Sequence, residues 1–226
     1  KGCLSLLNLF QPDYLKVASR DLTNLPLLEA LAETKIPIII STGMADKLDL
    51  DNGLSAINKY HSNITILHCL SQYPSDYKEL NLKSITYLKN NYPDYTIGYS
   101  DHSIGIVTPV AAVAMGAEVI EKHITIDRNM KGTDQEGSLA SDGIRRMLRD
   151  IRNLELSFGE EGIFRSEAVV SAQTKLERSI ATNKTLPKGH IIKEQDLHML
   201  SPGDGLKWHE KDKIIGYVGG ASSEKS

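Results

Sequence analysis

The chain has 226 residues, 40% hydrophobic and 24% charged, which suits a soluble globular protein of one large or two modest domains. Its formal net charge of −3 argues against a nucleic-acid-binding protein that relies on bulk positive charge. Apolar runs such as 36–40 are too short to span a bilayer, and no signal peptide opens the chain. The two cysteines form neither a zinc pattern nor a disulfide framework. We therefore predict a cytoplasmic protein without membrane or nucleic-acid partners.

Short apolar runs alternate with helical patterns over residues 1–159. The runs are nearly continuous and rich in β-branched residues, which is typical of parallel strands buried on both faces. The predicted strands are 14–19, 36–43, 64–70, 96–102 and 119–126. The predicted helices are 25–34, 45–60, 80–91, 106–116 and 142–158. This alternation predicts parallel βα units.

An open Rossmann-type sheet and a closed barrel both fit these units. No G-x-G-x-x-G motif follows any predicted strand, which disfavours a dinucleotide-binding sheet. Residues capable of chemistry lie at the carboxyl end of every strand, as in a (β/α)8 TIM barrel, whose active site is built from all the strand ends. We therefore predict an α/β fold that contains about the last five βα units of such a barrel.

The composition changes after Gly159. Residues 160–177 show no clear periodicity and are predicted to be a linker. Residues 178–226 are predicted to be a small β-rich module, with a strand at 179–182, a turn at 187–189, a helical turn from 194 and a loop at 201–205. So short a module buries little core, so we expect it to dock on a partner surface.

Side-chain alternation predicts which strand-end residues face the same way. His102 and Ser100 share one side of their strand, opposite Asp101, and His123 shares a side with Glu121. Because neighbouring strands lie about 4.8 Å apart, the two histidines could reach one divalent metal ion. The alternative is two separate histidines, one hydrogen-bonded in the barrel and one on a loop.

Hydroxyl groups and one lysine gather at the other strand ends and could bind a phosphate, the lysine by charge and the hydroxyls as directed donors. These residues are Lys16, Ser19, Ser41 and Ser100. Serines at strand ends also commonly cap the next helix. Asp134 could orient sugar hydroxyls or handle a proton, or simply form a turn, and Tyr73 could form a substrate wall or simply pack.

Five motifs in register resemble those of the sialic acid (N-acetylneuraminate) synthase family. They are KVASRDLTN at 16–24, ISTGM at 40–44, LHCLSQYP at 67–74, GYSDHS at 98–103 and GAEVIEKHIT at 116–125. The match runs in order from about Tyr14 to Asp134. The C-terminal module resembles the antifreeze-like (SAF, β-clip) domain of the same family.

This resemblance implies a metal-dependent condensation of phosphoenolpyruvate with N-acetylmannosamine or a related N-acyl amino sugar, with release of phosphate. It implies Mn²⁺ or Mg²⁺ on His102 and His123. It assigns phosphoenolpyruvate to Lys16, Ser19, Ser41, Ser71 and Ser100. It assigns Tyr73 to the sugar, with Asp21 and Asp134 as catalytic residues on the sugar side. It also implies a homodimer with exchanged C-terminal modules.

Two features depart from the family pattern. The family barrel begins well before Lys1, so this chain is expected to lack about three βα units, to be cut short after Gly219 and to be inactive alone. Ser201 stands where many relatives carry a sugar-contacting arginine. That change leaves open a synthase for another nonulosonic acid, such as legionaminic or pseudaminic acid.

Three further functions compete. A synthase of the 3-deoxy-octulosonate phosphate type shares the chemistry but lacks an SAF module. A Schiff-base aldolase needs a desolvated lysine and would leave the two histidines unexplained. A catalytically incomplete sugar-binding or interaction protein would bind manganese without turnover.

Overall fold

The computed structural model describes residues 2–219, in two compact units divided between Gly159 and Glu160. The first unit is an α/β fold, as predicted. Its strands are β1 (Leu15–Val17), β2 (Ile38–Ser41), β3 (Ile64–Cys69), β4 (Thr96–Asp101) and β5 (Val119–Lys122). Its α-helices are α1 (Leu25–Ala32), α2 (Lys47–Asn58), α3 (Lys83–Asn91), α4 (Val107–Ala114) and α5 (Ser141–Ser157).

The five strands form one parallel sheet in the order β1-β2-β3-β4-β5. Every strand is shorter than predicted, β3 and β4 by one residue and the other three by three or four residues. Helix α2 begins with a capping box: Asp46 Oδ1 accepts from the Asp49 N–H at 2.9 Å, and the Asp49 carboxylate accepts from the Asp46 N–H. This capping box begins the helix two residues later than predicted.

Alternate side chains of the sheet have different surroundings. Val17, Ile40 and Tyr99 belong to a buried core that packs against the helices, and we call this side the helix face. The core includes Leu54 of α2 and Ile85 of α3. Residues of opposite parity on each strand point away from the helices.

The sheet curls strongly. β1 and β5 are its two edges, yet Lys16 Nζ of β1 lies 3.6 Å from Glu121 Oε2 of β5. In a flat sheet, four strand spacings would separate these strands by about 19 Å, beyond the combined reach of the two side chains. The side that carries Lys16, Ser41, Ser100 and Glu121 is therefore concave, and we call it the concave face.

The second unit contains a two-stranded antiparallel sheet. Strand β6 (Ser179–Thr182) agrees with the sequence-based prediction, whereas β7 (Leu197–Leu200) has no predicted counterpart. The predicted helical turn ends at Asp196, after which the chain pairs with β6. The predicted linker 160–177 contains helix α6 (Val170–Leu176), and Ser201 Oγ lies 3.5 Å from the Leu176 carbonyl. No helix within residues 2–219 is long and apolar enough to cross a bilayer.

Asp196 is the buried polar centre of the second unit. Its side chain accepts from His190 Nε2 at 2.8 Å and from the Lys193 N–H at 3.0 Å, and Lys184 Nζ lies 3.4 Å away. These contacts, led by the His190 hydrogen bond, lower the pKa of Asp196 to about 2 from its ordinary value of 3.8. The folded unit therefore favours the ionised carboxylate.

We expect the second unit to lose stability between about pH 4 and pH 2. Because the folded-state pKa is depressed, the stabilisation is complete above the ordinary value and disappears as the pH falls through the folded value. Fluorescence of Trp208, the only tryptophan, follows this unit in denaturant titrations. Asp196→Asn should have a lower free energy of unfolding at pH 6, and that free energy should change less as the pH falls. Asp212→Asn, a control at an exposed residue, should match the wild type. Identical acid profiles for all three would contradict this role.

Candidate active site

Lys16 lies at the centre of a polar cluster on the concave face. Its Nζ donates to Ser41 Oγ at 2.8 Å and to the Val17 carbonyl at 2.9 Å. Glu121 Oε2 lies 3.6 Å from the same nitrogen, and Glu121 Oε1 accepts from Ser100 Oγ at 2.7 Å. The structure thus brings together three residues predicted to bind phosphate, but it connects Ser100 to Lys16 through a carboxylate.

Ser19 and Ser71 meet around Gly43, beside the buried Cys69. The Gly43 N–H donates to Ser19 Oγ at 2.9 Å. A Cβ at position 43 would lie 2.5 Å from Ser71 Oγ and 2.9 Å from both Cys69 Sγ and Ser19 Oγ. Only glycine therefore allows these groups to pack so closely. Burial raises the pKa of the Cys69 thiol, which keeps it protonated and unreactive at neutral pH.

The two predicted histidines are neighbours. The His102 and His123 ring centroids lie 5.1 Å apart and the ring planes are nearly perpendicular, at 85°. Burial lowers the pKa of His102, and the proximity of His123 lowers it further, so the ring is neutral at pH 7. His102 Nδ1 lies 2.9 Å from the Leu70 carbonyl, which fixes the tautomer with Nδ1 as donor and leaves the lone pair on Nε2.

The imidazole nitrogens of these two histidines are suitable ligands for a divalent metal ion. His102 has the usual form of a metal-binding histidine, a neutral imidazole whose Nδ1–H is anchored by a backbone carbonyl. Among residues 2–219, no group of three or more His, Cys, Asp or Glu side chains is arranged to hold a metal. Two imidazoles would therefore be the protein ligands, with other positions left for water or substrate.

Tyr73 and Asp134 border the histidine pair. The Tyr73 ring centroid lies 4.0 Å from that of His102 and 5.7 Å from that of His123. Asp134 Oδ2 lies 3.8 Å from His123 Nδ1. A small cleft is lined by these four residues together with Pro74, Thr133 and Gly137. Burial raises the pKa of Tyr73, which therefore stays a neutral phenol.

Asp21 is the predicted site residue that lies apart from the others. It ends a 3-10 helix (Ser19–Asp21), and its carboxylate pairs with Arg20 at 3.5 Å. Within the described residues, no contact connects it to the histidine pair. A larger cavity of about 360 Å³ lies beside α2 and α3, but it is lined by none of the predicted site residues, so the polar contacts and not the cavity size define the site.

Glu121 has no role predicted from the sequence, although its parity places it on the same side as His123. A second group without a predicted role lies on the helix face, directly behind the site. There Asp101, fully buried, accepts from Lys122 Nζ at 2.6 Å, from Tyr99 OH at 2.9 Å and from Thr108 Oγ1 at 3.0 Å. Asp101 and Lys122 each precede one of the two histidines, so this ion pair ties together the strands that carry them. Alternation is the signal that places both residues on this side.

The fold and site define an α/β protein with its chemistry-bearing side chains at the carboxyl ends of parallel strands. The NeuB family model matches residues 2–162. The chain is 36% identical over 207 residues to N,N'-diacetyllegionaminic acid synthase of Legionella pneumophila, covering 89% of this chain and 58% of that protein. It is 32% identical over 206 residues to human N-acetylneuraminate-9-phosphate synthase, covering 91% of this chain and 57% of that protein.

A crystal structure of the N-acetylneuraminic acid synthetase of Leptospira borgpetersenii, in complex with citrate, superposes with a TM-score of 0.68 at 36% identity. The match covers 75% of this chain and 59% of that one. The chain belongs to the NeuB family. It spans less than two thirds of the length of these relatives.

Proposed function

We propose that the whole protein is a nonulosonic acid synthase that condenses phosphoenolpyruvate with an N-acyl amino sugar and releases phosphate. The observation that carries this proposal is the convergence of two chemically distinct groups on the concave face. One is the Lys16 cluster, which suits a phosphate, and the other is the histidine pair with Tyr73 and Asp134, which suits a polar acceptor. Cys69 lies between them: its sulfur is 3.8 Å from His102 Nδ1 and packs beside Ser19.

The Lys16 cluster binds and orients the phosphoenolpyruvate. An ammonium group with hydroxyl groups beside it gives charge-assisted, directed hydrogen bonds to phosphate oxygens. During the reaction, carbon 3 of phosphoenolpyruvate forms a bond to the aldehyde carbon of the sugar, and the aldehyde oxygen takes up a proton. Water then adds at carbon 2, and the phosphate leaves from it. Fixed donors around the phosphate stabilise the charge that develops there.

The histidine pair and Asp134 act on the acceptor sugar. His102 Nε2 and the ring of His123 would hold Mn²⁺ or Mg²⁺, which when bound would polarise the aldehyde carbonyl as a Lewis acid. Asp134, 3.8 Å from His123, accepts and returns a proton at the sugar. The Tyr73 ring packs against the His102 imidazole and lies near that of His123, so it borders the acceptor site. Asp21 stays a predicted catalytic residue.

Several finer features of the whole protein stay predictions of the family resemblance. They are a closed (β/α)8 barrel, an SAF fold for the C-terminal module and a homodimer with exchanged modules. N-acetylmannosamine and the precursors of legionaminic and pseudaminic acid all remain candidate acceptors, since Ser201 replaces the expected arginine. A sugar-binding protein without turnover is the alternative from another functional class.

The test is phosphate release by the full-length parent protein with phosphoenolpyruvate, Mn²⁺ and a panel of N-acyl amino sugars. We expect release with one sugar and none after chelation. His102→Ala should weaken Mn²⁺ binding by at least about tenfold, measured by electron paramagnetic resonance, and abolish turnover. His209→Ala, at an exposed histidine, is the matched control. Mn²⁺ binding without phosphate release from any sugar would favour the binding protein.

A further inference from the structure

Glu121 places a negative charge inside a cluster that otherwise suits an anion. Its Oε2 lies 3.6 Å from Lys16 Nζ and its Oε1 accepts the Ser100 hydroxyl at 2.7 Å. It therefore engages two of the groups expected to bind phosphate. A carboxylate in this position would also repel an incoming phosphate.

The three partners of the Lys16 ammonium are not equivalent. Ser41 Oγ at 2.8 Å and the Val17 carbonyl at 2.9 Å are at hydrogen-bond distance, whereas Glu121 at 3.6 Å makes only an ion pair. An ammonium group has three donors, and the first two partners take two of them. The third donor is left for Glu121 or for a bound anion. A phosphate oxygen at about 2.8 Å would replace the weakest of the three contacts.

We propose that Glu121 is a positioning residue that acts as an internal counter-anion: it holds the donors of Lys16 and Ser100 in place in the free protein, and the phosphate of the substrate displaces it. This inference rests on the proposed function. It predicts a gain in affinity: removing the charge of Glu121 should strengthen phosphate binding. Loss of a merely structural contact would weaken it.

Glu121→Gln is a conservative probe. The amide has the shape of the carboxylate, and its oxygen can still accept from Ser100, while the charge next to Lys16 is removed. Both partners of the ion pair are partly exposed, at 33% for Lys16 and 41% for Glu121, so the effect is limited by solvent screening. We expect the dissociation constant for inorganic phosphate to fall by roughly three- to tenfold.

The experiment is calorimetric titration of the full-length parent protein with inorganic phosphate, without metal. Glu118→Gln is the matched control, because Glu118 directly precedes the same strand and pairs with Lys89 at a similar 3.7 Å. We expect tighter binding by Glu121→Gln, unchanged binding by Glu118→Gln and weaker binding by Lys16→Met. Circular dichroism melting curves confirm that each variant folds.

The outcomes separate the two proposals. Unchanged or weaker phosphate binding by Glu121→Gln, with binding still dependent on Lys16, overturns the counter-anion role and leaves the phosphate site of the proposed function standing. Phosphate binding that does not depend on Lys16, or its absence from every variant, overturns both.

Discussion

Replacing Lys16 by Met in the full-length protein is expected to raise the KM for phosphoenolpyruvate about ten- to a hundredfold. A charge-assisted hydrogen bond of this kind contributes about 1.5–3 kcal/mol, which corresponds to that range of affinity. The variant removes the only ammonium at hydrogen-bond distance from Ser41 among the described residues and leaves Glu121 without its cationic partner. The KM for the acceptor sugar should change little, because the histidine pair and Tyr73 are untouched.

Steady-state kinetics with each substrate varied in turn gives both constants. Lys83→Met, at an exposed lysine that begins α3, is the control for loss of a positive charge. If Lys16→Met raised the KM of the sugar and left that of phosphoenolpyruvate unchanged, the two substrates would lie the other way round on the concave face.

Lys122→Met is expected to destabilise the first unit by about 3–5 kcal/mol, because it leaves a buried carboxylate without its counter-charge. The Asp101 side chain is fully buried and that of Lys122 is only 3% exposed. Hydrogen bonds from Tyr99 and Thr108 would remain, but neither neutralises the charge. Since Lys122 also donates to the Ser103 carbonyl, the turn after β4 loses a second contact.

Urea denaturation followed by far-UV circular dichroism measures this loss. Lys78→Met is the matched control: Lys78 pairs with Asp76 at 3.2 Å, but the two side chains are 73% and 46% exposed. We expect Lys78→Met to lower the free energy of unfolding by less than about 1 kcal/mol. Adding Asp101→Asn to Lys122→Met should restore part of the stability. If Lys122→Met and Lys78→Met lost equal free energy of unfolding, burial of Asp101 would not determine the strength of its ion pair.

The side-chain alternation of the sheet can be predicted from the sequence alone. Parity separates Ser100 from Asp101 and Glu121 from Lys122, and the contacts of all four residues agree with it. Alternation is local: once a segment is extended, each residue has the opposite side to its neighbour. The five motifs likewise determine the family, because they lie at fixed positions along the chain.

The second unit shows where local reasoning fails. Helix α6 lies in a segment without a clear apolar stripe, and β7 follows a turn whose residues favour a helix. Asp196 ends that turn by accepting from His190 and from the backbone of Lys193, and the next four residues then pair with β6. His190 and β6 belong to other segments of the chain. The local sequence pattern around Asp196 therefore does not predict their contacts with it.

The role of Glu121 depends on the tertiary structure. Its sequence position, within β5 and two residues before His123, indicates only the side on which it lies. Its contact with Lys16 joins the two edge strands of the sheet and exists because the sheet curls. Curling depends on how all five strands twist and stagger against the helices, which no single segment encodes. The sequence therefore determined which residues face the site, and the curvature of the sheet decided which of them touch.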